Sequence, residues 1–148
     1  MMGMDAVSHA VLGVGIGHAF FRRRLGPESV TTLAWASILP EIDALPLLAG
    51  SPIAILFRRS FGHSAILLPV LCLALASFFK SRYPEKSRWE FFGLSLLGAG
   101  VHVLLDLLNP FGVQLLWPLS GWRPQLGVLY ALDPILLLLV SAPFLLAL

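Results

Sequence analysis

Charge is what this sequence has least of. Only 12% of its 148 residues are charged, against 57% hydrophobic, and the mean hydropathy is +0.86. A soluble domain carries about a quarter charged residues. The shortage excludes an ordinary water-soluble enzyme, a disordered chain and a nucleic-acid binder built on a basic face. Cysteine is nearly missing as well. Cys72 stands alone in an apolar run, which excludes an intrachain disulfide and reads as a small packing residue. Strand-type alternation, internal repeats and low-complexity tracts are all lacking, so nothing points to a β-barrel or a solenoid.

What is present is a series of long apolar runs. A membrane-crossing helix needs about 20 mainly apolar residues. Candidates lie at residues 6–21, 30–50, 62–79, 91–109 and 126–148. The second is interrupted by Pro40, Glu41, Asp43 and Pro46, and the fifth carries Asp133-Pro134 near its start. Between the fourth and fifth, residues 110–125 read as a loop at the interface, where Trp117 and Trp122 suit the membrane–water boundary. The expectation is an all-α fold: one domain over residues 1–148, a polytopic bundle of about five transmembrane helices. The apolar ending without a polar tail leaves a continuation past Leu148 open.

The first run is not read as a signal peptide, because its positive charge follows the apolar stretch and no small-residue cleavage site appears. Gly13 and Gly17 form a GxxxG pair, which predicts close helix packing; GVGIG lacks the strand–turn–helix context of a nucleotide loop. Orientation follows from basic residues. Five spans put Arg22, Arg23, Arg24, Lys80, Arg82, Lys86 and Arg88 on one side, and Arg58, Arg59 and Arg123 on the other. The positive-inside rule then predicts a multi-pass plasma-membrane protein with its N-terminus outside.

Ionisable residues within or beside these runs carry the chemistry: His9, Glu41, Asp43, His63, His102, Asp106 and Asp133. An Asp at a helix centre costs about 2.5–3.5 kcal/mol on insertion scales, so such residues usually face a polar interior and serve a function. In the five-span topology every one falls in the outer part of its helix, which predicts one polar cluster near the outer face. His102 and Asp106 are four apart and share a helix face. Imidazole with carboxylate is the ligand set of zinc, manganese or iron sites. The alternative for this pair is an interhelical hydrogen bond worth roughly 1 kcal/mol. His9 and His63 are read as ligands or interface residues. Asp43 is the chosen acid ligand, with Glu41 its competitor as ligand or general base. Asp133 before Pro134 fits a helix N-cap, and His18 beside Arg22 is left out of the site.

Several of these residues sit in longer motifs. SHAVLG around His9, LPEID over 39–43, RSFGHS over 59–64 and HVLLDLLNPFGVQLLWPLS over 102–120 resemble the YdjM-type family, also called LexA-binding inner-membrane-associated hydrolases. The resemblance covers roughly residues 5–120 and implies a transmembrane, metal-dependent hydrolase of the bacterial inner membrane. Against the family pattern, Glu41 replaces the first acid of P-D-x-D. Arg58, Ser60 and Gly62 replace the first His, the Gly and the Thr of H-R-G-x-T-H-S. The order of His and Asp motifs is also similar to zinc-dependent phospholipase C and P1-type nucleases. That analogy implies His9, Asp43, His63, His102 and Asp106 as metal ligands and Arg59 as a phosphate-side cation.

The leading expectation is therefore hydrolysis of a phosphoester or other ester, by water activated on a divalent metal, zinc first, at the non-cytoplasmic interface. Membrane lipids are the expected partners, an amphiphilic molecule the expected substrate, and no nucleic acid is expected. The alternative is a non-enzymatic proton or metal-ion carrier, or a small interaction protein, since buried His and Asp also serve as relays.

Overall fold

The computed structural model describes residues 6–48, 50 and 57–128. It is all-helical over those residues. Helix α1 (Ala6–Ile16) runs through a π-turn (Gly17–Phe21) into the short α2 (Arg22–Leu25), and α3 (Glu28–Ile38) returns after the Gly26-Pro27 turn. A 3₁₀ segment (Leu39–Ala44) leads to the single turn α4 (Leu45–Leu48); α5 (Leu68–Arg82) and α6 (Arg88–Leu107) follow as an antiparallel pair. Of the described helices, α6 alone is long and apolar enough to cross a membrane by itself. Residues 129–148, and Asp133 with them, lie outside the described residues, as does most of the expected fifth span.

The second and third expected spans are reshaped, for local reasons. Proline at position 40 has no N–H to continue an α-helix, so α3 ends at Ile38 and the chain tightens into the 3₁₀ turn that carries Glu41 and Asp43. The third run is not helical from Gly62. Residues 58–67 form turns, and Ser64 Oγ accepts the N–H groups of Ile66 and Leu67 at 3.2 and 3.4 Å before α5 begins beside Pro69. At the other end, α6 starts at Arg88, where Ser87 caps it by accepting the Trp89 N–H at 3.2 Å.

Helix α3 is the centre. One face of α1 reads His9, Gly13, Gly17, four apart each time, and lies against it. A Cβ at Gly13 would stand 2.5 Å from Ser37 Oγ and 2.6 Å from the Leu33 carbonyl; one at Gly17 would stand 2.7 Å from Val30 Cα. From the other side α6 presents Gly98, where a Cβ would meet Ala36 Cβ at 2.8 Å. The small residues let three backbones approach as the GxxxG spacing predicts. Leu68, Cys72, Ala99, Val103 and Val113 fill the core between α5 and α6, and Ala76, Phe79 and Phe91 continue it.

These pairings sort the polar residues by end. Lys86 donates to the Leu25 carbonyl at 2.8 Å and pairs with Glu28 at 2.7 Å, which ties the 22–26 turn to the 83–87 turn. All seven basic residues of the two clusters thus share one end, while His9, His102 and Asp106 stand at the other. Eighteen residues of α6 separate Arg88 from Asp106, about 27 Å along its axis.

The glycine contacts predict opposite signs for two substitutions of one kind. Gly13→Ala should lower stability by about 1–3 kcal/mol through overpacking. Gly93→Ala, with open space around its site, should raise it by about 0.5–1 kcal/mol. Thermal unfolding in detergent checks both, and equal effects would contradict the close packing on α3.

Candidate metal centre

Four buried side chains meet where α1, the 58–67 turns and α6 converge: His9, His63, His102 and Asp106 are at most 1% exposed. His102 and Asp106, one helical turn apart on α6, face inward, with Nε2 of the first 3.8 Å from Oδ2 of the second. The His9 ring stacks on His102 with centroids 3.6 Å apart, and its Nε2 lies 3.7 Å from Asp106 Oδ1. His63 enters from the opposite side, its Nε2 3.1 Å from His102 Nε2 and 3.2 Å from Asp106 Oδ2.

The far nitrogens of two rings decide their protonation. His102 Nδ1 lies 2.6 Å from the Ser37 carbonyl, which can only accept, so that nitrogen carries the hydrogen. His63 Nδ1 lies 3.0 Å from Asp43 Oδ2 and donates to it. His102 therefore turns a bare Nε2 inward, and His63 Nε2 faces that lone pair at 3.1 Å and the Asp106 carboxylate at 3.2 Å. Such an arrangement repels itself unless a cation, a metal ion or an added proton, sits among the acceptors. Neither nitrogen of His9 has a hydrogen-bond partner, although both are buried. An orphaned imidazole beside convergent lone pairs fits a metal ion, and His9, His102 and Asp106 lie close enough together to hold one.

Asp43 is arranged differently. Its Oδ1 accepts the Gly62 N–H at 2.7 Å, and its Oδ2 accepts the Ser60 N–H at 2.9 Å as well as the His63 ring. The carboxylate thus reaches the cluster only through His63, while shaping the turn that carries it. Gly62 is needed there because a Cβ would run into the Pro40 carbonyl. Glu41, two residues earlier, points to Arg58 at 3.4 Å and makes no contact with the imidazoles.

Arg59 donates to Asp106 Oδ1 at 3.1 Å and lies over the Phe111 ring, 5.4 Å from Cζ to centroid. Its φ of 58° is the only positive value at a described non-glycine residue, a strained conformation held by its surroundings. The Gln114 N–H binds its carbonyl at 2.8 Å. Burial draws the guanidinium below its usual value, the Asp106 charge opposes that, and Arg59 Nη1 is left without a partner. The 110–128 segment closes over this turn: Ala65 donates to the Leu115 carbonyl at 2.8 Å, Ser64 to that of Trp117 at 2.5 Å, and Phe61 meets Trp117 edge-on. His18 lies apart, at the basic end, 3.2 Å from Arg22.

One contributor had no signal in the sequence. Ser37 acts through its backbone carbonyl, which no residue type announces. Asn109 is 1% exposed with both side-chain polar atoms unpartnered.

The model of the family described as YdjM inner membrane protein matches residues 4–147. The chain belongs to the YdjM family. A Bacillus subtilis (strain 168) relative, described as uncharacterized protein YfhP, is 27% identical over 139 residues, covering 88% of this chain and 42% of its own length. The chain thus spans about two fifths of that curated relative. No solved structure matches. The further likeness to zinc-dependent phospholipase C and P1 nuclease is not shown by these comparisons.

Two neighbouring acids of this YdjM-family chain should respond unequally to mutation. Asp43→Ala strands three buried donors and should cost about 3–5 kcal/mol. Glu41→Gln breaks one partly exposed ion pair and should change stability by less than about 1 kcal/mol. Thermal unfolding of both variants in detergent is the check; equal losses would remove Asp43 from its place as the organiser of the turn.

Proposed function

We propose that this protein is a multi-pass, membrane-embedded hydrolase that uses a divalent metal ion, zinc first, held by His9, His63, His102 and Asp106. The observation that carries the reading is the pair of imidazole Nε2 atoms turned toward each other at 3.1 Å beside the Asp106 carboxylate. Membership of an inner-membrane family supports the location. The opposite placement of basic turns and His cluster is consistent with the basic end inside, the N-terminus outside and the site near the outer interface.

The chain's own residues divide the work. Ser37 and Asp43 accept from Nδ1 of the two rings from behind, which points both Nε2 atoms at the place where an ion would sit. Arg59 holds Asp106 and keeps one guanidinium nitrogen free, a donor suited to a phosphoryl or carboxyl oxygen. A bound divalent ion would supply Lewis acidity, acidifying water and drawing charge from the ester oxygen. The 110–128 segment excludes bulk water and must shift for an ester to enter. Phe111, Leu116, Leu119 and Trp122 on its exposed side favour an amphiphilic substrate taken from the lipid phase. Asp43 is read here as a positioning residue rather than a ligand, and Glu41 is too far engaged with Arg58 to serve as the base.

A second reading keeps the cluster but not the chemistry. Complete burial of the four side chains also suits a proton relay or an ion carrier, in which His63 passes charge between Asp43 and the His102–Asp106 pair.

Metal content by mass spectrometry on detergent-purified protein separates these. The hydrolase reading expects about one tightly held transition-metal ion per chain, lost in His102→Ala and Asp106→Ala. Asp43→Asn should weaken affinity by about 10–100-fold. Chelation should lower the Tm of the wild type and leave His102→Ala unmoved. Metal-dependent release of product from phosphoester lipids would complete the case. Protein free of metal after anaerobic reconstitution, or ion flux into liposomes, would overturn it in favour of the relay.

A further inference from the structure

The basic end of the bundle carries a feature that the His cluster does not use. Helices α1 and α6 run antiparallel and touch where His9 stacks on His102. Between them opens a cleft of about 600 Å³, walled by Ile16, Ala19, Phe20, Arg23 and Arg24 on one side and Leu97 on the other. Phe21, at the end of the π-turn, completes the lining. This lining is distinct from the Gly13 and Gly17 face packed on α3. The π-turn, closed by the Arg22 N–H on the Gly17 carbonyl, adds a residue to the turn and so sets where Phe20 and the arginines stand.

The order along the wall matters. Apolar side chains lie toward the middle of the bundle and two guanidinium groups at its end, over about 12 Å from residue 16 to residue 24. Phe20 is 68% exposed and Leu97 38%, so both are open to an occupant of the cleft. Arg22 is turned to His18, but Arg23 and Arg24 have no acidic partner among the described residues. An apolar slot ending in two unpaired guanidiniums complements a molecule with a hydrocarbon chain below and a phosphodiester anion above.

We propose that this cleft binds one anionic glycerophospholipid, its phosphate on Arg23 and Arg24 and the start of an acyl chain along Ile16, Phe20 and Leu97. The site is independent of the metal reading and lies at the opposite end of the fold. A bound lipid would fill this cleft and hold the basic end at headgroup level.

Native mass spectrometry of the whole protein in detergent, titrated with phosphatidylglycerol, phosphatidylcholine or inorganic phosphate, tests this. One phosphatidylglycerol per chain should be retained in preference to phosphatidylcholine. Arg23→Gln with Arg24→Gln should weaken it roughly tenfold or more. Phe20→Ala should also weaken it, although the charge is unchanged. Lys80→Gln with Arg82→Gln, which removes equal charge from the same end, should leave it bound. Circular dichroism and Tm show that each variant is folded. Equal loss in the two charge-matched doubles, no effect of Phe20→Ala, equal retention of phosphatidylcholine, or displacement by inorganic phosphate would each overturn the proposal.

Discussion

The near-contact of three helix backbones through Gly13, Gly17 and Gly98 is the constraint on which the rest of the structure depends. Without side chains at these points, α1 and α6 both settle against α3, and the residues one turn beyond them are carried into register. His9 precedes Gly13 by four residues and His102 follows Gly98 by four, so the two rings meet, His102 against the Ser37 carbonyl. The stacking of the two imidazoles is a consequence of backbone distance, not of any strong attraction between the rings. In lipid, where burying apolar surface drives no association, such close packing and the hydrogen bonds it permits are what hold helices together.

A second layer of order comes from Asp43. Its two oxygens take three donors from residues 60–63, and this turns an apolar run that hydropathy would make helical into a tight turn. The turn brings His63 to face His102 across the cluster and places Arg59 on Asp106. The strained backbone at Arg59 is consistent with a segment whose shape is dictated by its contacts. One carboxylate thus links fold and site: it shapes the turn and fixes the protonation of the ring the turn delivers.

Much of the site could be read in the residues before any coordinates. The hydropathy runs and the clustered arginines and lysines implied helices whose ionisable residues share one depth. The HxxxD spacing put His102 and Asp106 on one helix face, as α6 has them. The GxxxG pair implied the seat on α3. The division of labour between the acids could not be read. Asp43 and Glu41 are two apart in a Pro-rich stretch, and nothing in their types says that one meets backbone N–H groups and an imidazole while the other meets Arg58. Boundaries were also misjudged: the third run breaks at Gly62 because side-chain acceptors from Asp43 and Ser64 compete with helix hydrogen bonds there.

Composition, periodicity and spacing alone determined that the chain is helical and membrane-associated, that its basic residues gather in two turns, and that His and Asp recur at matching positions along its helices. These properties are local, since each depends on a residue and its neighbours within a few turns. Only the tertiary structure decided which nitrogen of each ring turns inward, that Ser37 and Asp43 stand behind the rings, and that a cleft opens beside Phe20 and Leu97 at the basic end. Those outcomes depend on distances between segments tens of residues apart, set by the packing of small residues across helices, and no local pattern encodes them.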